Sequence, residues 1–265
     1  SHASSLSADG RYLVFASDAS NLVPGDTNGY RDLFLRDDQT GELRRISNGM
    51  NGQEANGNSD DPVISGDGST VVFTSAASNL VSGDNNFRSD VFRYHLAEQT
   101  LIRVSLSSAG IEANDASFSP DVSSTGDRIV FVSRGSNLVK GDDNGKDDVF
   151  LRDETRGETL RLSMAVDRGA TNGASFEPAI SGDGQWVVFA SDASNVMADD
   201  TNGTTALFMV AASGATPGQR LQGIAPPDGP SRDPDISAEG RRVVFSSHAT
   251  NLSTADVNGL GDLFL

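Results

Sequence analysis

Some residue types that often carry protein chemistry are scarce or absent. The 265 residues include no cysteine, three histidines and one tryptophan. Disulfides and thiol catalysis are therefore excluded. His2, His95 and His248 fall at unrelated positions of the repeat described below, which gives them no shared role. No G-x-S-x-G, H-E-x-x-H or P-loop motif occurs. These absences favour a protein without catalytic activity.

Basic residues and long apolar runs are also scarce. Against 37 Asp and Glu there are 20 Lys and Arg, and the formal net charge is −17. Because this charge repels phosphates, a nucleic-acid partner is not expected. No apolar run approaches the roughly 20 residues of a membrane helix, so no membrane span is predicted. The excess acid is compatible with simple solubility or with carboxylates that face bound cations.

The sequence does contain an internal repeat. The stretch GDTNGYRDLF (25–34) recurs four times, as GDNNFRSDVF (83–92), GDDNGKDDVF (141–150), DDTNGTTALF (199–208) and ADVNGLGDLF (255–264). The successive spacings are 58, 58, 58 and 56 residues. Upstream of each copy, a turn such as SADG or SGDG precedes an apolar run, which reads RYLVFAS, STVVFTS, DRIVFVS, QWVVFAS or RRVVFSS. A fixed period of this length indicates a repeat architecture.

Each unit contains short apolar runs that are separated by Gly, Asn and Asp, which is typical of strands and turns. No sustained 3.6-residue period indicates a helix. Of 13 phenylalanines, ten lie in the second and third runs of the five units. Consecutive apolar positions there predict strands that are buried on both faces. We therefore predict an all-β fold, a β-propeller of four-stranded antiparallel blades. A β-solenoid is the alternative, although its units are usually shorter.

The S-A/G-D-G turn, the apolar run after it and the D-L/V-F run resemble the TolB-like β-propeller repeat of bacterial periplasmic and secreted proteins. That repeat typically has Ser-Pro-Asp-Gly at the first turn, where this sequence has Ala or Gly in place of Pro. The resemblance covers essentially the whole chain. It implies a propeller fold and a bacterial secreted, periplasmic or cell-surface location. It does not imply one function, because such propellers serve as binding platforms, docking domains and peptidase appendages.

The repeats predict a single domain over residues 1–265, with blades near 1–48, 58–106, 116–164, 174–223 and 230–265. The fifth unit stops at the end of its third run, so the last blade is expected to lack its outer strand. Three closures are open. The ring closes with a three-stranded blade, the chain is a fragment of a longer propeller, or another chain shares a strand with the incomplete blade.

The acidic turn between the second and third strands reads Asp-x-Asn-Gly-x-x-Asp. Carboxylate and amide oxygens suit Ca²⁺, whereas the lack of nearby His and Cys argues against zinc or copper. We predict about one Ca²⁺ per blade. The predicted ligands are Asp26, Asn28, Asp32, Asp84, Asn86, Asp90, Asp142, Asn144, Asp148, Asp200, Asn202, Asp256, Asn258 and Asp262. The fourth blade should bind most weakly, because Ala206 replaces its last acid.

The alternative is a structural turn, because Asp and Asn cap backbone groups and Asn-Gly favours turns on its own. One departure from the pattern favours a role beyond turn shape. The second copy has Phe87 in place of Gly, yet it keeps both acids.

A second set of polar residues recurs in the loops that lead from the fourth strand to the next blade. Its members are Asn56, Ser59, Asn114, Ser117, Asn172, Ser175, Asp228 and Ser231. In a propeller these loops share a face with the acidic turns, and their side chains could bind sugar hydroxyls. Alternatively, they cap their own loops.

Taken together, these features predict a non-catalytic, calcium-stabilised propeller that serves as a binding or scaffold module for a protein or glycan partner. A five-bladed lectin or glycoside hydrolase is one alternative, since the many carboxylates leave glycosidase chemistry open. A subunit or fragment of a larger surface assembly is another.

Overall fold

The chain folds into five antiparallel sheets. The computed structural model describes residues 3–198, 203–214, 218–221, 227–253 and 259–265. Blade 1 contains β1 (Ser4–Leu6), β2 (Tyr12–Ser17), β3 (Asp32–Asp37) and β4 (Leu43–Arg45). Blade 2 contains β5 (Ser59–Ile64), β6 (Thr70–Ser75), β7 (Asp90–His95) and β8 (Thr100–Arg103). Blade 3 contains β9 (Ser117–Val122), β10 (Arg128–Ser133), β11 (Asp148–Asp153) and β12 (Glu158–Arg161).

The last two sheets follow the same plan. Blade 4 contains β13 (Ser175–Ile180), β14 (Trp186–Ser191), β15 (Ala206–Ala211) and β16 (Gln219–Arg220). Blade 5 contains β17 (Ser231–Ile236), β18 (Val243–Ser247) and β19 (Asp262–Phe264). Strands pair in chain order within every sheet. The four-stranded blades and the three-stranded last sheet confirm the predicted fold class. The described residues include a single short helix, a 3₁₀ turn at Met50–Gly52, and no helix long and apolar enough to cross a bilayer.

Phenylalanine pairs lie at the centre of each blade. The second and third strands place them directly opposite each other, as with Phe73 and Phe92. Their ring centroids are 5.7 Å apart, and the five blades give distances from 5.5 to 6.0 Å. Such cross-strand aromatic pairs stabilise a sheet beyond the area they bury. The prediction that these phenylalanines lie in the second and third strands is confirmed in all five copies.

The sheets also pack face to face in series. Val14 and Leu35 of blade 1 share a core cluster with Val71 and Phe73 of blade 2. The alternate residue of the same strand, Val72, packs instead toward blade 3. All six residues of β6 are buried, because neighbouring sheets cover both faces of its blade. This is the arrangement that the consecutive apolar positions predict.

A bulge interrupts the innermost strand of blades 2 to 5. The bulge lies at the residue that precedes the proline of each strand, and the φ of that residue is between 50° and 53°. The residues concerned are Asp61, Ser119, Glu177 and Asp233. Proline has no N–H to give to the ladder, so it is tolerated at a bulge.

Candidate functional site

The acidic turn of blade 1 surrounds an arginine from the fourth strand. The Arg45 Nη1 atom lies 3.3 Å from Asp26 Oδ1 and 3.3 Å from Asp32 Oδ2. It also lies 3.0 Å from Glu54 Oε1, in the loop that leads to blade 2. The side chains of Asp26, Asp32 and Arg45 are each more than nine-tenths buried. The guanidinium is therefore the shared counter-ion of these three carboxylates, and we call this group an arginine cluster.

Blades 2 and 3 contain the same cluster. The Arg103 Nη1 atom lies 3.2 Å from Asp90 Oδ2 and 3.8 Å from Asp84 Oδ1, and it makes a close ion pair with Glu112. In blade 3, Arg161 Nη1 lies 3.3 Å from Asp142 Oδ1 and 4.0 Å from Asp148 Oδ2. The third acid is missing there, because Ala170 stands where the other two copies have glutamate.

A serine at the end of the fourth strand fixes the second aspartate of each turn. Ser47 Oγ donates to Asp32 Oδ1 at 2.6 Å and accepts the Leu33 N–H at 3.0 Å. Ser105 and Ser163 make the same contacts in blades 2 and 3. The carboxylate is thus held by its own blade through a buried hydrogen bond to a charged acceptor.

The asparagine of the turn is engaged with the backbone. Asn28 Oδ1 accepts the Tyr30 N–H at 2.9 Å, which is an Asx turn. Its Nδ2 donates to Asp32 Oδ2 at 3.0 Å and to the Ala55 carbonyl at 3.1 Å. Asn86 and Asn144 repeat this pattern. A cation at these turns would therefore have to be bound chiefly by carboxylates.

One cluster brings three carboxylates close enough to hold a metal ion. Within the described residues, oxygens of Asp84, Asp90 and Glu112 lie within 4.8 Å of one another. The Asp84 side chain is 1% exposed, and its buried Oδ1 has no hydrogen-bond partner. Burial, followed by the charge of Asp90, raises the pKa of Asp84 to about 6, although Arg103 opposes the shift. The negative charge at this turn is incompletely compensated.

The turns of blades 4 and 5 fall mostly outside the described residues. Asp200, Asn202, Asp256 and Asn258, all predicted ligands, lie there. Ala206 is described and is fully buried at the position where blades 1 to 3 have aspartate. Two residues after Arg220 the sequence has Gln222, where blades 1 to 3 have Ser47, Ser105 and Ser163 two residues after the arginine. In blade 5, Asp262 begins β19 and lies opposite Ser247.

The recurrent loop residues divide into two groups. Ser59, Ser117, Ser175 and Ser231 are buried and form hydrogen-bonded pairs across the first two strands, as Ser59 Oγ does with Ser75 Oγ at 2.9 Å. Asn56, Asn114, Asn172 and Asp228 are exposed and tie their loop to the turn after the second strand. Asn56 Oδ1, for example, accepts the Ser78 N–H at 2.8 Å. The side chains of the exposed group are thus engaged in holding that turn, and the serines lie inside the blades.

Sequence reasoning missed the arginines and the glutamates of the clusters. A usable signal existed, because Arg45, Arg103 and Arg161 recur at a step of 58 residues, and so do Glu54 and Glu112. Arg220 continues the series with a one-residue shift, since it pairs with Phe208 as Arg103 pairs with Phe92.

The clusters predict a pH dependence of stability. Burial, followed by the charge of Asp148, raises the pKa of Asp142 to about 6, whereas the unfolded chain has the ordinary value of 3.8. Between these pH values the folded state binds more protons, so this group lowers the free energy of unfolding as pH rises from about 4 to about 6. We expect Asp142→Asn to raise stability at pH 7.5 by about 1 kcal/mol and to flatten this fall.

Urea unfolding at pH 4.5 and pH 7.5 measures both effects. Asp143→Asn is the matched control, because it removes an exposed acid from the adjacent position of the same turn. If the two variants change the pH slope equally, net charge rather than the buried carboxyl governs the dependence.

The fold was compared with known proteins. Neither a protein-family model nor a curated protein matches the sequence. A putative TolB from Agrobacterium tumefaciens superposes with a TM-score of 0.58 and 19% identity, over 94% of this chain and 70% of that one. TolB from Acinetobacter baumannii gives a TM-score of 0.51 and 17% identity, over 94% of this chain and 52% of that one. A prolyl endopeptidase gives 0.55 and 12%, over 99% of this chain and 34% of that one.

At these identities the likeness concerns the fold alone. The chain therefore has the fold of the TolB propeller domains over 94% of its length, as the resemblance of its turns and apolar runs implies.

Proposed function

We propose that the chain is a non-catalytic binding or scaffold propeller, which presents the face of its acidic turns to a protein or glycan partner. The observation that carries this proposal is Phe87, at the tip of the turn between β6 and β7. Its side chain is 85% exposed, the largest exposure of any aromatic residue described. Arg88, which follows it, lies 3.6 Å from Asp115 in the loop before β9.

A contribution to the stability of the fold does not explain why phenylalanine occupies position 87. Its φ is 55°, in the left-handed region, where the equivalent residues Gly29 and Gly145 have φ values of 72° and 61°. A bulky residue in this conformation costs roughly 1 kcal/mol relative to glycine. The exposed ring recovers none of that cost through burial. Strained, exposed aromatic residues are typical of binding sites, where the ring is buried only by the partner.

The nearby surface suits such a role. The exposed asparagine of the neighbouring loop, Asn114, belongs to the same face, because Glu112 of that loop accepts the Asn85 N–H at 3.0 Å. Tyr30 of blade 1 is also 43% exposed at the corresponding turn. Aromatic rings flanked by polar groups bind either protein side chains or the apolar faces of sugars.

Phe87→Gly tests the proposal. We expect the free energy of unfolding to stay equal or rise by up to about 1 kcal/mol, because glycine adopts the positive φ without strain. Partner binding should fall by about tenfold or more, as for the loss of an aromatic anchor. Urea unfolding measures the first quantity. A glycan array and affinity capture from a bacterial envelope extract, each performed with both proteins, measure the second.

The two assays also separate the kinds of partner. Binding on the array identifies a lectin, and specific capture identifies a protein partner. Phe87→Asn is the control, since asparagine tolerates the left-handed conformation while removing the ring. Equal binding by the original chain and both variants would reject the face around Phe87 as the binding site.

We also propose that the turn of blade 2 binds Ca²⁺ through Asp84, Asp90 and Glu112. The prediction of one ion per blade is narrowed to this turn, because only here within the described residues do three carboxylates converge within 4.8 Å. Carboxylate oxygens suit Ca²⁺, and Mg²⁺ demands a stricter geometry. Arg103 already makes ion pairs with this group, so the ion must compete with a guanidinium and the affinity should be modest.

Thermal unfolding at pH 7.5 tests the calcium site. If the dissociation constant lies near that of extracellular modules, about 0.1–1 mM, 10 mM CaCl₂ should stabilise the fold by about 1–3 kcal/mol. Glu112→Gln should lose most of this gain, whereas Glu54→Gln, the matched change in blade 1, should retain it. NaCl of equal ionic strength provides the baseline. If CaCl₂ raises the unfolding temperature no more than NaCl does, the turn of blade 2 does not bind Ca²⁺.

The resemblance to TolB propellers supports a secreted or periplasmic location in a bacterium. Millimolar Ca²⁺ and surface glycans are accessible at such a location. Cell fractionation of the native host with an antibody to the chain tests this part.

A further inference from the structure

In blades 1 and 2, the glutamate of the arginine cluster binds to groups of the acidic turn. Glu54 Oε1 accepts the N–H groups of Thr27 at 2.7 Å and Asn28 at 3.2 Å. The same oxygen lies 3.0 Å from Arg45 Nη1. Hydrogen bonds from the hydroxyl and the N–H of Thr27, followed by the one from Arg45, lower the pKa of Glu54 to about 2. Blade 2 repeats the backbone contacts and the ion pair with Glu112. The turn and the guanidinium therefore form a binding site for a carboxylate.

Blade 3 has the same loop without the glutamate, because Ala170 takes its place. The Asn195 Nδ2 group donates to the Ala170 carbonyl at 3.2 Å. Asn137 makes the same bond to the carbonyl of Glu112, at 2.8 Å. The two loops thus hold the backbone of positions 112 and 170 alike, and they differ in the side chain that reaches the turn.

The groups that bind glutamate in the other blades have no such partner in blade 3. The Arg161 side chain is 6% exposed, and its buried Nε and Nη1 atoms make no hydrogen bond within the described part of the chain. The N–H groups of Asp143 and Asn144 correspond to those of Thr27 and Asn28, and no described residue accepts them. A buried guanidinium with unsatisfied N–H groups, beside two backbone donors, favours an anionic acceptor.

Blade 3 also concentrates positive charge at this turn. The chain has two lysines, Lys140 and Lys146, and both flank the turn and are exposed. Asp143 opposes them, since this exposed acid stands where blades 1 and 2 have Thr27 and Asn85. The affinity for an anion should therefore be modest.

We propose that the turn of blade 3 binds a carboxylate from outside the chain, in the place that glutamate occupies in blades 1 and 2. The carboxylate accepts the N–H groups of Asp143 and Asn144 and pairs with Arg161. Solvent reaches this place, because Glu54 and Glu112 are 26% and 18% exposed in their own blades. The ligand is a free small carboxylic acid or the glutamate side chain of an acidic peptide. This site depends neither on the exposed ring of blade 2 nor on Ca²⁺.

Amide NMR of the ¹⁵N-labelled chain at pH 6.5 tests the site, with sodium acetate as the probe. We expect saturable downfield shifts of the Asp143 and Asn144 amide protons, with a dissociation constant on the order of 1–10 mM. The amides of Asn85 and Asn86 are the control and should not respond, because Glu112 already accepts them. The absence of saturable shifts overturns the site. Equal shifts in NaCl at the same concentration overturn its assignment to carboxylates.

Two substitutions should convert one kind of turn into the other. Ala170→Glu supplies the carboxylate from the chain itself, so the amide protons of Asp143 and Asn144 should shift downfield without acetate and no longer respond to it. Glu54→Ala should create a second acetate site, seen at the corresponding amides of blade 1. A full acetate response in folded Ala170→Glu overturns the proposal. If that variant does not fold, Glu54→Ala decides, because a turn that gains no acetate response contradicts the proposed site.

A Gly-Glu-Gly peptide with acetylated and amidated ends separates the two sources of the carboxylate. Binding at least about tenfold tighter than that of acetate identifies a protein side chain as the ligand. Equal or weaker binding identifies a free small acid. The matched Gly-Gln-Gly peptide should not bind, and binding as tight as that of the glutamate peptide would show that the turn does not recognise a carboxylate.

Discussion

Arg103→Ala is expected to lower the free energy of unfolding by about 3–5 kcal/mol, because it leaves buried carboxylates without their counter-ion. Asp90 is fully buried, and Arg103 and Asp84 are each more than nine-tenths buried. In such a buried site, water cannot stabilise the carboxylate charges as well as the guanidinium does. The variant also loses the hydrogen bond from Arg103 Nη2 to the Gly83 carbonyl, at 2.8 Å, which holds the start of the turn.

Urea unfolding at pH 7.5 measures this loss, and Arg88→Ala is the control. Arg88 also pairs with an aspartate, but its side chain is 58% exposed, so its removal should change stability by less than about 1 kcal/mol. If both variants lose equally little, the arginine cluster does not stabilise the blade. A fall in pH should partly rescue Arg103→Ala, because protonation of Asp84 and its neighbours removes the uncompensated charge.

The variant also connects stability to the calcium proposal. Without the guanidinium, the three carboxylates of blade 2 have no competing cation, so Ca²⁺ should bind more tightly than in the original chain. A larger stabilisation by CaCl₂ in Arg103→Ala than in the original chain would support direct competition between arginine and ion. An equal or smaller stabilisation would place any bound Ca²⁺ elsewhere.

Blade 4 shows how the chain can dispense with the cluster. Ala206 replaces the buried aspartate, and Gln222 stands in the sequence where the serine that binds that aspartate is found in blades 1 to 3. The aspartate and its serine are absent together, which avoids the cost of leaving either of them unpaired. The same logic explains why Ser163 and Asp148 occur together in blade 3, where Ser163 Oγ donates to the carboxylate at 2.5 Å.

The sequence predicted the parts of the fold that depend on local pattern. Consecutive apolar positions and the step of 58 residues located the second and third strands, on which Phe73 and Phe92 lie opposite each other. The arginine cluster was not predicted, because its members are distant in sequence. Arg103 lies 13 residues after Asp90, and Glu112 lies nine residues after Arg103. In the sequence, a turn rich in acids resembles a metal site. Only the fold shows that an arginine of the same chain lies beside these acids.

The sequence left the packing of the two end blades undecided for a different reason. Leu6 and Ile64 occupy equivalent positions with the same apolar character, and nothing local distinguishes a covered residue from a bare one. Only the packing of whole sheets reveals that Leu6 lacks a neighbour. The repeat pattern does not predict the identity of a partner, because it reflects the contacts between neighbouring blades.

Phe131→Ala is expected to destabilise the protein by about 3–5 kcal/mol, as for a fully buried phenylalanine in a core that cannot collapse. Phe131 is completely buried in blade 3 and stacks on Phe150 at 5.8 Å. Blades 2 and 4 cover both faces of its sheet, so the vacated volume has no route to solvent and no side chain free to fill it.

The same substitution at the ends of the chain should cost less. Phe15 and Phe245 stack on their partners at 5.7 and 5.5 Å, yet both are only half-buried. Because solvent already reaches one side of each pair, we expect Phe15→Ala and Phe245→Ala to cost about 1–2 kcal/mol. Three urea unfolding curves test this gradient with identical chemistry at equivalent positions. Equal losses at all three would mean that the end blades are covered in solution.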